Sequence, residues 1–251
     1  MIPNVFHFIF GLKSVPQKLH LVHYLCLKSC IDVNNPDKIF FYYEKEPYGK
    51  YWEKIKNELE LVKVQPIRIL NGKKIGYAHQ SDFIRLAVLN KYGGIYADID
   101  TIFIEKMPKW LFEKDFVMGL EDLTDPYAGL GNAIIMAKAG SFFGTMWEKN
   151  IRSQFDGSWN NHSILYPLKL SKEYPKSIHI EPQTSFYKHI WSKTGLKNIF
   201  VDIDDNLNGV YSLHLWEHLC WQEYIKKIDE DYVMNVDTTY NILARKYISC
   251  E

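Results

Sequence analysis

The sequence lacks a long apolar run, a net charge and an N-terminal leader, and each absence excludes a class of protein. No stretch approaches the roughly 20 apolar residues that cross a membrane, so we expect no transmembrane segment. The formal net charge of +0 argues against nucleic acid as a partner, because nucleic-acid-binding surfaces are basic. The apolar stretch 5–10 is too short for a signal peptide. We therefore expect a cytoplasmic protein, with peripheral membrane contact left open.

Cysteine is also scarce. The chain has four cysteines, Cys26, Cys30, Cys220 and Cys250, and their spacing does not match that of a zinc site. Reduced thiols are the default in a cytosol. We therefore expect neither a disulfide framework nor structural zinc.

The chain does have ample material for a core. Its 251 residues are 47% hydrophobic and 15% aromatic, which suits one large domain. Over residues 1–110, apolar runs alternate with amphipathic helical patterns. This alternation predicts an α/β protein with a mainly parallel, Rossmann-like sheet between helices.

The pattern changes in the second half, 111–251. Phe116–Leu120 and Ala133–Ala137 read as short strands on either side of a glycine-rich loop, and Ile199–Val201 is a further candidate strand. No linker separates the halves. We expect one domain, 1–251, whose halves share a site.

The most informative motif is the pair Asp98 and Asp100, which follows Gly93-Gly94. On an extended segment these side chains would point to one face, and Ile95, Ala97 and Ile99 would point inward. Adjacent carboxylates repel unless a cation or proton lies between them. Oxygen ligands suit Mg²⁺ or Mn²⁺, so the pair predicts a divalent cation that holds a phosphorylated substrate.

A helix predicted over 78–92 precedes this pair. Its apolar residues recur with helical spacing, and Gly93-Gly94 ends it. Asp82 and Arg85 are three residues apart and share one face. Arginine there can hold a hydroxyl, phosphate or carboxylate, and Asp82 can accept hydrogen bonds from hydroxyls.

These motifs resemble the signature of the DXD-containing sugar transferases of glycosyltransferase family 32, through Ala78, Ser81, Asp82, Arg85, Leu89, Tyr92, Gly93, Gly94, Tyr96, Asp98 and Asp100. The opening segment 2–11 resembles the family's first strand, and 212–216 resembles its closing His-x-Trp element. The family includes yeast-type initiating mannosyltransferases and bacterial capsule and O-antigen glycosyltransferases. The glucosylating domains of large clostridial toxins are more distant relatives.

The resemblance implies a GT-A-type fold, with a nucleotide-sugar-binding half (1–110) and an acceptor-side half (111–251) that completes the metal site. It also implies a metal-dependent, retaining transfer of a hexose or N-acetylhexosamine. The donor would be a nucleotide sugar, with UDP favoured, and the acceptor a hydroxyl of a glycan or lipid-linked oligosaccharide in surface polysaccharide biosynthesis.

The same resemblance assigns the site residues. Mn²⁺ (or Mg²⁺) would be held by Asp98, Asp100 and His214. The catalytic group would be Asp82, Arg85, Asp98 and Asp100. The donor-binding residues would be His7, Phe8, Asp82, Arg85, Tyr96, Asp98 and Trp216.

Several positions keep two interpretations. His7 and Tyr96 suit either donor contact or core packing. Glu121 follows a predicted strand and could face the transferred sugar or solvent, as could its neighbour Asp122. Asn132 is a candidate for the acceptor side, and His218 is a rival of His214 as a metal ligand.

Two other functions are open. The chain could bind carbohydrate or nucleotide sugar without turnover, or it could be a toxin-like protein glycosyltransferase. An aspartyl-nucleophile phosphatase is disfavoured, because Ile102 occupies the place where such enzymes normally have Thr or Val. No residue stands out as a nucleophile, so same-face attack by the acceptor hydroxyl is our expectation for a retaining reaction.

Overall fold

The computed structural model describes residues 1–122 and 129–248. Its strands are β1 (Val5–Ile9), β2 (Lys38–Tyr43), β3 (Glu60–Lys63), β4 (Ile69–Leu70), β5 (Lys73–Lys74), β6 (Gly94–Ala97), β7 (Thr101–Phe103), β8 (Phe116–Asp122), β9 (Gly129–Ala137), β10 (His179–Glu181) and β11 (Ser212–His214). Its α-helices are α1 (Leu21–Asn34), α2 (Lys50–Ile55), α3 (Tyr77–Tyr92), α4 (Phe142–Gln154), α5 (Tyr166–Glu173), α6 (Gln183–Tyr187), α7 (Lys193–Phe200), α8 (Glu217–Cys220), α9 (Glu230–Asn235) and α10 (Thr239–Arg245).

A seven-stranded sheet in the order β10-β8-β9-β6-β1-β2-β3 forms the centre. Strand β1 pairs in parallel with β2 and β6, β2 with β3, and β8 with β10. Strand β9 runs antiparallel to both β6 and β8. The predicted mainly parallel α/β sheet is thus confirmed, and the carboxyl ends of β1, β2 and β6 share one edge, where such sheets bind ligands.

Both faces of the central strands β1, β6 and β9 are buried, which is why these strands are largely apolar without alternation. Phe6, Phe8 and Ile95 belong to one core cluster, while Tyr96 and Ile135 belong to the cluster on the other side. Phe6, Phe8 and Ile95 are each 0% exposed. Burial on both faces fixes the sheet and, with it, the edge where the aspartate pair emerges.

The turn from α3 into β6 depends on glycine. The helix predicted over 78–92 is confirmed, and the N–H of Gly93 closes it by donating to the carbonyl of Leu89 (2.8 Å). Gly94 follows with φ +108°, and a Cβ there would lie 2.4 Å from the carbonyl oxygen of Val5. The strand can therefore lie directly beside β1 because position 94 has no side chain.

Three predictions of local structure are wrong. The aspartate pair is not on a strand, because β6 ends at Ala97 and the chain turns before β7 begins. Gly129 and Gly131 lie within β9 rather than in a loop; a Cβ on Gly131 would meet the Tyr187 ring at 2.4 Å. The segment predicted as strand 199–201 falls mainly in α7, whose buried residues recur with helical spacing.

A second, two-stranded sheet joins the two halves of the chain. Strand β11 pairs antiparallel with β7, so that His214 lies opposite Thr101. This pairing places a histidine from near the end of the chain beside the aspartate pair.

No helix among the described residues is long and apolar enough to cross a membrane. Cys26, Cys30 and Cys220 are free and buried, and Cys250 lies outside the described residues.

Candidate active site

Asp98, Asp100 and His214 meet just beyond the carboxyl end of β6. Nε2 of His214 lies 3.2 Å from Oδ1 of Asp100 and 3.8 Å from Oδ2 of Asp98. One possible ligand atom from each residue falls within 4.8 Å of the others. Two carboxylate oxygens and an imidazole nitrogen are a donor set that a divalent cation can use.

The segment after β11 wraps around Asp100. The N–H of Leu215 donates to the main-chain carbonyl of Asp100, and the N–H of Glu217 donates to its Oδ2, both at 2.8 Å. Between them Trp216 has φ 57° and ψ 40°, a left-handed conformation that is rare for a bulky residue. Its indole N–H donates to the carbonyl of His189 (2.9 Å). The strained turn therefore fixes His214 and the N–H of Glu217 against one carboxylate.

The pKa values of the three residues in this cluster are shifted in different directions. Burial opposes ionisation of Asp100, but His214 and the N–H of Glu217 outweigh it and lower its pKa to about 2. Burial raises the pKa of Asp98, which Arg85 and His214 only partly offset. Burial lowers the pKa of His214, but Asp100 outweighs it and raises that pKa. Nearby positive charge is thus what stabilises both ionised carboxylates, and the cluster fits a divalent cation.

Arg85 connects this cluster to Asp82. Its Nη2 lies 3.3 Å from Oδ1 of Asp82 and 3.3 Å from Oδ1 of Asp98. The guanidinium packs 4.2 Å from the centroid of the Tyr96 ring, and the Tyr96 hydroxyl donates to Asp98 (2.5 Å). Asp82 and Arg85 are only 6% and 4% exposed. Four of the predicted site residues therefore form one mutually oriented network, in which Asp98 is partly exposed and the other three are buried.

Asp82 has further partners that come from the second half of the chain. Nδ2 of Asn132 donates to its Oδ1 (2.8 Å), and Nε2 of His162 donates to its Oδ2 (3.0 Å). From the first half, on the same helix as Asp82, Nδ1 of His79 lies 3.6 Å from Oδ2. Burial would raise the pKa of Asp82, but Arg85 and His162 outweigh burial and lower it to about 2. Asp82 is therefore held ionised by groups from three segments.

The prediction missed two members of this network. His79 precedes Asp82 by three residues on α3, so the spacing of neighbours on one helix face could have revealed it. His162 lies 80 residues away in a short π-helical turn, Asn161–Leu165, and nothing in its local sequence distinguishes it.

Glu121 lies near the cluster of Asp98, Asp100 and His214, which is called the metal-type cluster below. It follows Leu120, which pairs with Leu130, and a register shift separates that pair from Asp122 and Gly129. Burial raises the pKa of Glu121 to about 7; His214 opposes this shift, whereas Asp122 and Asp98 add to it. Such irregularities in a strand redirect side chains.

The remaining predicted residues lie in different surroundings. His7 and Phe8 are fully buried, and the ring nitrogens of His7 face the Tyr42 hydroxyl (3.0 Å) and the Gly93 carbonyl (2.8 Å). The Trp216 ring packs 4.2 Å from that of His214, whereas His218 is exposed. Donor binding by His7, Phe8 and Trp216 stays a prediction.

Comparison with known proteins agrees with this geometry. Residues 22–117 match the family described as "Glycosyltransferase sugar-binding region containing DXD motif", and Asp98-Ile99-Asp100 is that motif here. The chain is 29% identical over 262 residues to glucan organizing enzyme 1 of Cryptococcus neoformans var. grubii, a match that covers 99% of this chain and 71% of that protein. It is 32% identical over 104 residues to an uncharacterized glycosyltransferase of Acanthamoeba polyphaga mimivirus, over 41% of this chain and 37% of that protein.

The fold is similar to that of the glycosyltransferase GlyE of Streptococcus pneumoniae. That match has a TM-score of 0.56 at 11% identity and covers 98% of this chain and 60% of the other. The sheet is thus that of a GT-A-type fold. Residues 22–117 resemble the DXD-containing family, and these similarities together indicate a glycosyltransferase.

Proposed function

We propose that this protein transfers a hexose or N-acetylhexosamine from a nucleotide sugar, with UDP favoured, to a hydroxyl of a glycan. The observation that carries the proposal is the convergence of Asp98, Asp100 and His214 beside the Asp82–Arg85 pair. A cation site next to buried hydrogen-bonding groups is what a sugar diphosphate requires. The name of the Cryptococcus relative, glucan organizing enzyme 1, supports a setting in polysaccharide synthesis.

Asp98, Asp100 and His214 are the residues that would hold Mn²⁺ or Mg²⁺. The bound cation would supply Lewis-acid stabilisation of the departing diphosphate. The protein's own contribution is to fix the three ligands: Glu217 through its N–H and Arg85 through its guanidinium orient the two carboxylates.

Asp82 and Arg85 would position the sugar. The ionised Asp82 can accept hydrogen bonds from sugar hydroxyls, and its orientation is set by Asn132 and His162. The N–H groups of Arg85 point to Ser81, to the carbonyl of Asn132 and to the carboxylates. Fixed groups of this kind stabilise an oxocarbenium-like state because they need no rearrangement as charge develops.

For the stereochemistry we propose retention through same-face attack. The acceptor oxygen would bond to the anomeric carbon as the bond to the diphosphate breaks, and the departing phosphate would take the hydroxyl proton. Nuclear magnetic resonance of the product anomer tests this step, and an inverted configuration would rule it out.

Donor hydrolysis tests the enzymatic function without knowledge of the acceptor. We expect slow release of nucleoside diphosphate from one nucleotide sugar in a panel, dependent on Mn²⁺ and abolished by EDTA. Donor binding with neither hydrolysis nor transfer to added glycans would instead favour the non-catalytic binding function.

A further inference from the structure

A small cavity lies beside Asp82, and His79 of the network described above forms part of its wall. Its volume is about 240 Å³, and its walls include Tyr77, His79, Trp159 and His218. These residues come from the start of α3, the segment after α4 and the start of α8. The cavity is therefore bounded by segments from both halves of the chain.

Aromatic rings dominate this cavity. The indole of Trp159 is 57% exposed and stacks on the His218 ring, with centroids 5.0 Å apart and an angle of 15° between the planes. The centroid of the His79 ring lies 5.4 Å from that of Trp159, and Tyr77 is 46% exposed. Large aromatic surfaces that remain in water but have fixed neighbours are typical of binding sites.

The few charged residues that line the cavity restrict the class of ligand that it can bind. No carboxylate lines the cavity, and Lys74 is its one fully charged wall residue among those described. Of the described wall residues, only His79 belongs to a group that could hold a metal ion, and the other members, Asp82 and His162, do not line the cavity. Aromatic walls with few polar groups instead suit a neutral ring that has an apolar face and hydroxyls at its edge.

Two wall residues of the cavity, His79 and His218, lie close to residues of the candidate active site. His79 lies both in the cavity wall and 3.6 Å from Oδ2 of Asp82. His218 directly follows Glu217, whose N–H binds Asp100. Oδ1 of Asp82 faces Arg85 and hence the metal-type cluster, whereas Oδ2 faces His79. The cavity therefore adjoins Oδ2 of Asp82, while Oδ1 faces Arg85 and the proposed diphosphate position.

We propose that this cavity binds a pyranose ring of the acceptor glycan, with Trp159 as its stacking surface. The proposal rests on the transferase function above. A donor sugar must stay attached to a diphosphate at the metal-type cluster, which Arg85 connects to Oδ1 of Asp82, whereas the cavity adjoins Oδ2. A second ring in the cavity would lie next to the donor sugar, where an acceptor must lie for its hydroxyl to reach the anomeric carbon.

Saturation-transfer nuclear magnetic resonance with methyl glycosides of glucose, galactose, mannose and N-acetylglucosamine tests the site. At least one glycoside should bind the wild type and bind Trp159→Ala about tenfold more weakly. Trp110→Ala is the matched control, since Trp110 is also an exposed tryptophan (42%) and also packs on a histidine. Equal binding by both variants, or no Trp159-dependent signal for any glycoside, would overturn the inference.

Titration of nucleotide sugars with Mn²⁺ into the same proteins separates the two sources of a sugar ring. Weakened glycoside binding with donor affinity kept supports an acceptor site. Parallel loss of both in Trp159→Ala would assign the ring to the donor and overturn the acceptor assignment. If the wild type binds a glycoside through Trp159 but no nucleotide sugar, the transferase function fails while the cavity remains a sugar site.

Discussion

Asp98 and Asp100 are neighbours in sequence and differ in chemistry. Asp100 accepts from the Glu217 N–H and faces His214 at 3.2 Å, and its pKa falls to about 2. Asp98 has weaker compensation, so burial raises its pKa. The two carboxylates of the motif therefore differ in what stabilises their ionised form. The protein itself stabilises ionised Asp100, whereas an added cation would do most for ionised Asp98.

The first prediction at the residue scale concerns His162. His162→Ala would remove a buried donor from Asp82, and we expect a loss of about 1–3 kcal/mol in the free energy of unfolding. His162→Gln, which keeps an N–H donor, should recover part of it. Urea denaturation measures the change, with His179→Ala as control because His179 also donates to a carboxylate (Glu181, 2.7 Å) but is partly exposed. Equal losses at positions 162 and 179 would contradict this assignment.

The second concerns Glu121, whose pKa is raised from 4.5 to about 7. The folded protein then keeps a proton that the unfolded chain releases, so this group's contribution to stability falls as pH rises between those values. Glu121→Gln should be more stable than wild type at pH 8, by about 2 kcal/mol at most, and the advantage should shrink at pH 5.

Melting temperatures in EDTA measure this difference, with the exposed Glu58→Gln as control. A stability difference between wild type and Glu121→Gln that does not change with pH would show that Glu121 is not held in its neutral form.

At this scale the motif predicted a large part of the network. Asp82, Arg85, Asp98 and Asp100 come from a stretch short enough to recognise in sequence, and their contacts follow from one helix and the turn after β6. The roles of Asn132 and His162 depend on contacts across 50 and 80 residues. Such contacts are set by the packing of distant segments, which a local pattern does not encode.

The junction between α3 and β6 is the decisive element. Two glycines end the helix and bring β6 beside β1, so the strand delivers Asp98 and Asp100 to the sheet edge. Helical periodicity and the glycine pair were sufficient to predict α3. The end of β6 at Ala97 was not predictable, because the alternation of apolar residues continues through Ile99.

Gly94→Ala should therefore destabilise the protein more than a glycine substitution in open space. Position 94 combines φ +108° with a Cβ contact of 2.4 Å to backbone, whereas Gly140 has φ +64° and no atom within 4 Å. We expect about 1 kcal/mol for Gly140→Ala from conformation alone, and several times that for Gly94→Ala. Urea denaturation compares the two, and equal losses would contradict the close approach to β1.

On the scale of the whole molecule, the site combines residues from the middle of the chain with a histidine from its last fifth. His214 reaches Asp100 across 114 residues because β11 pairs with β7. The alternation of strands and helices was enough to predict the parallel sheet, and the resemblance pointed to the His-x-Trp element. The β7–β11 pairing and the left-handed turn at Trp216 come from tertiary packing. The division into a donor half, 1–110, and an acceptor half, 111–251, stays a prediction.

The central claim is that Asp98, Asp100 and His214 bind a nucleotide sugar through a divalent cation. Calorimetric titration of a nucleotide-sugar panel with and without Mn²⁺ tests it most directly, on wild type, Asp100→Asn and the control Asp115→Asn, whose side chain is 68% exposed. We expect one donor to bind wild type and Asp115→Asn only when Mn²⁺ is present, and not to bind Asp100→Asn. Metal-independent binding, or equal binding by Asp100→Asn, would contradict the claim.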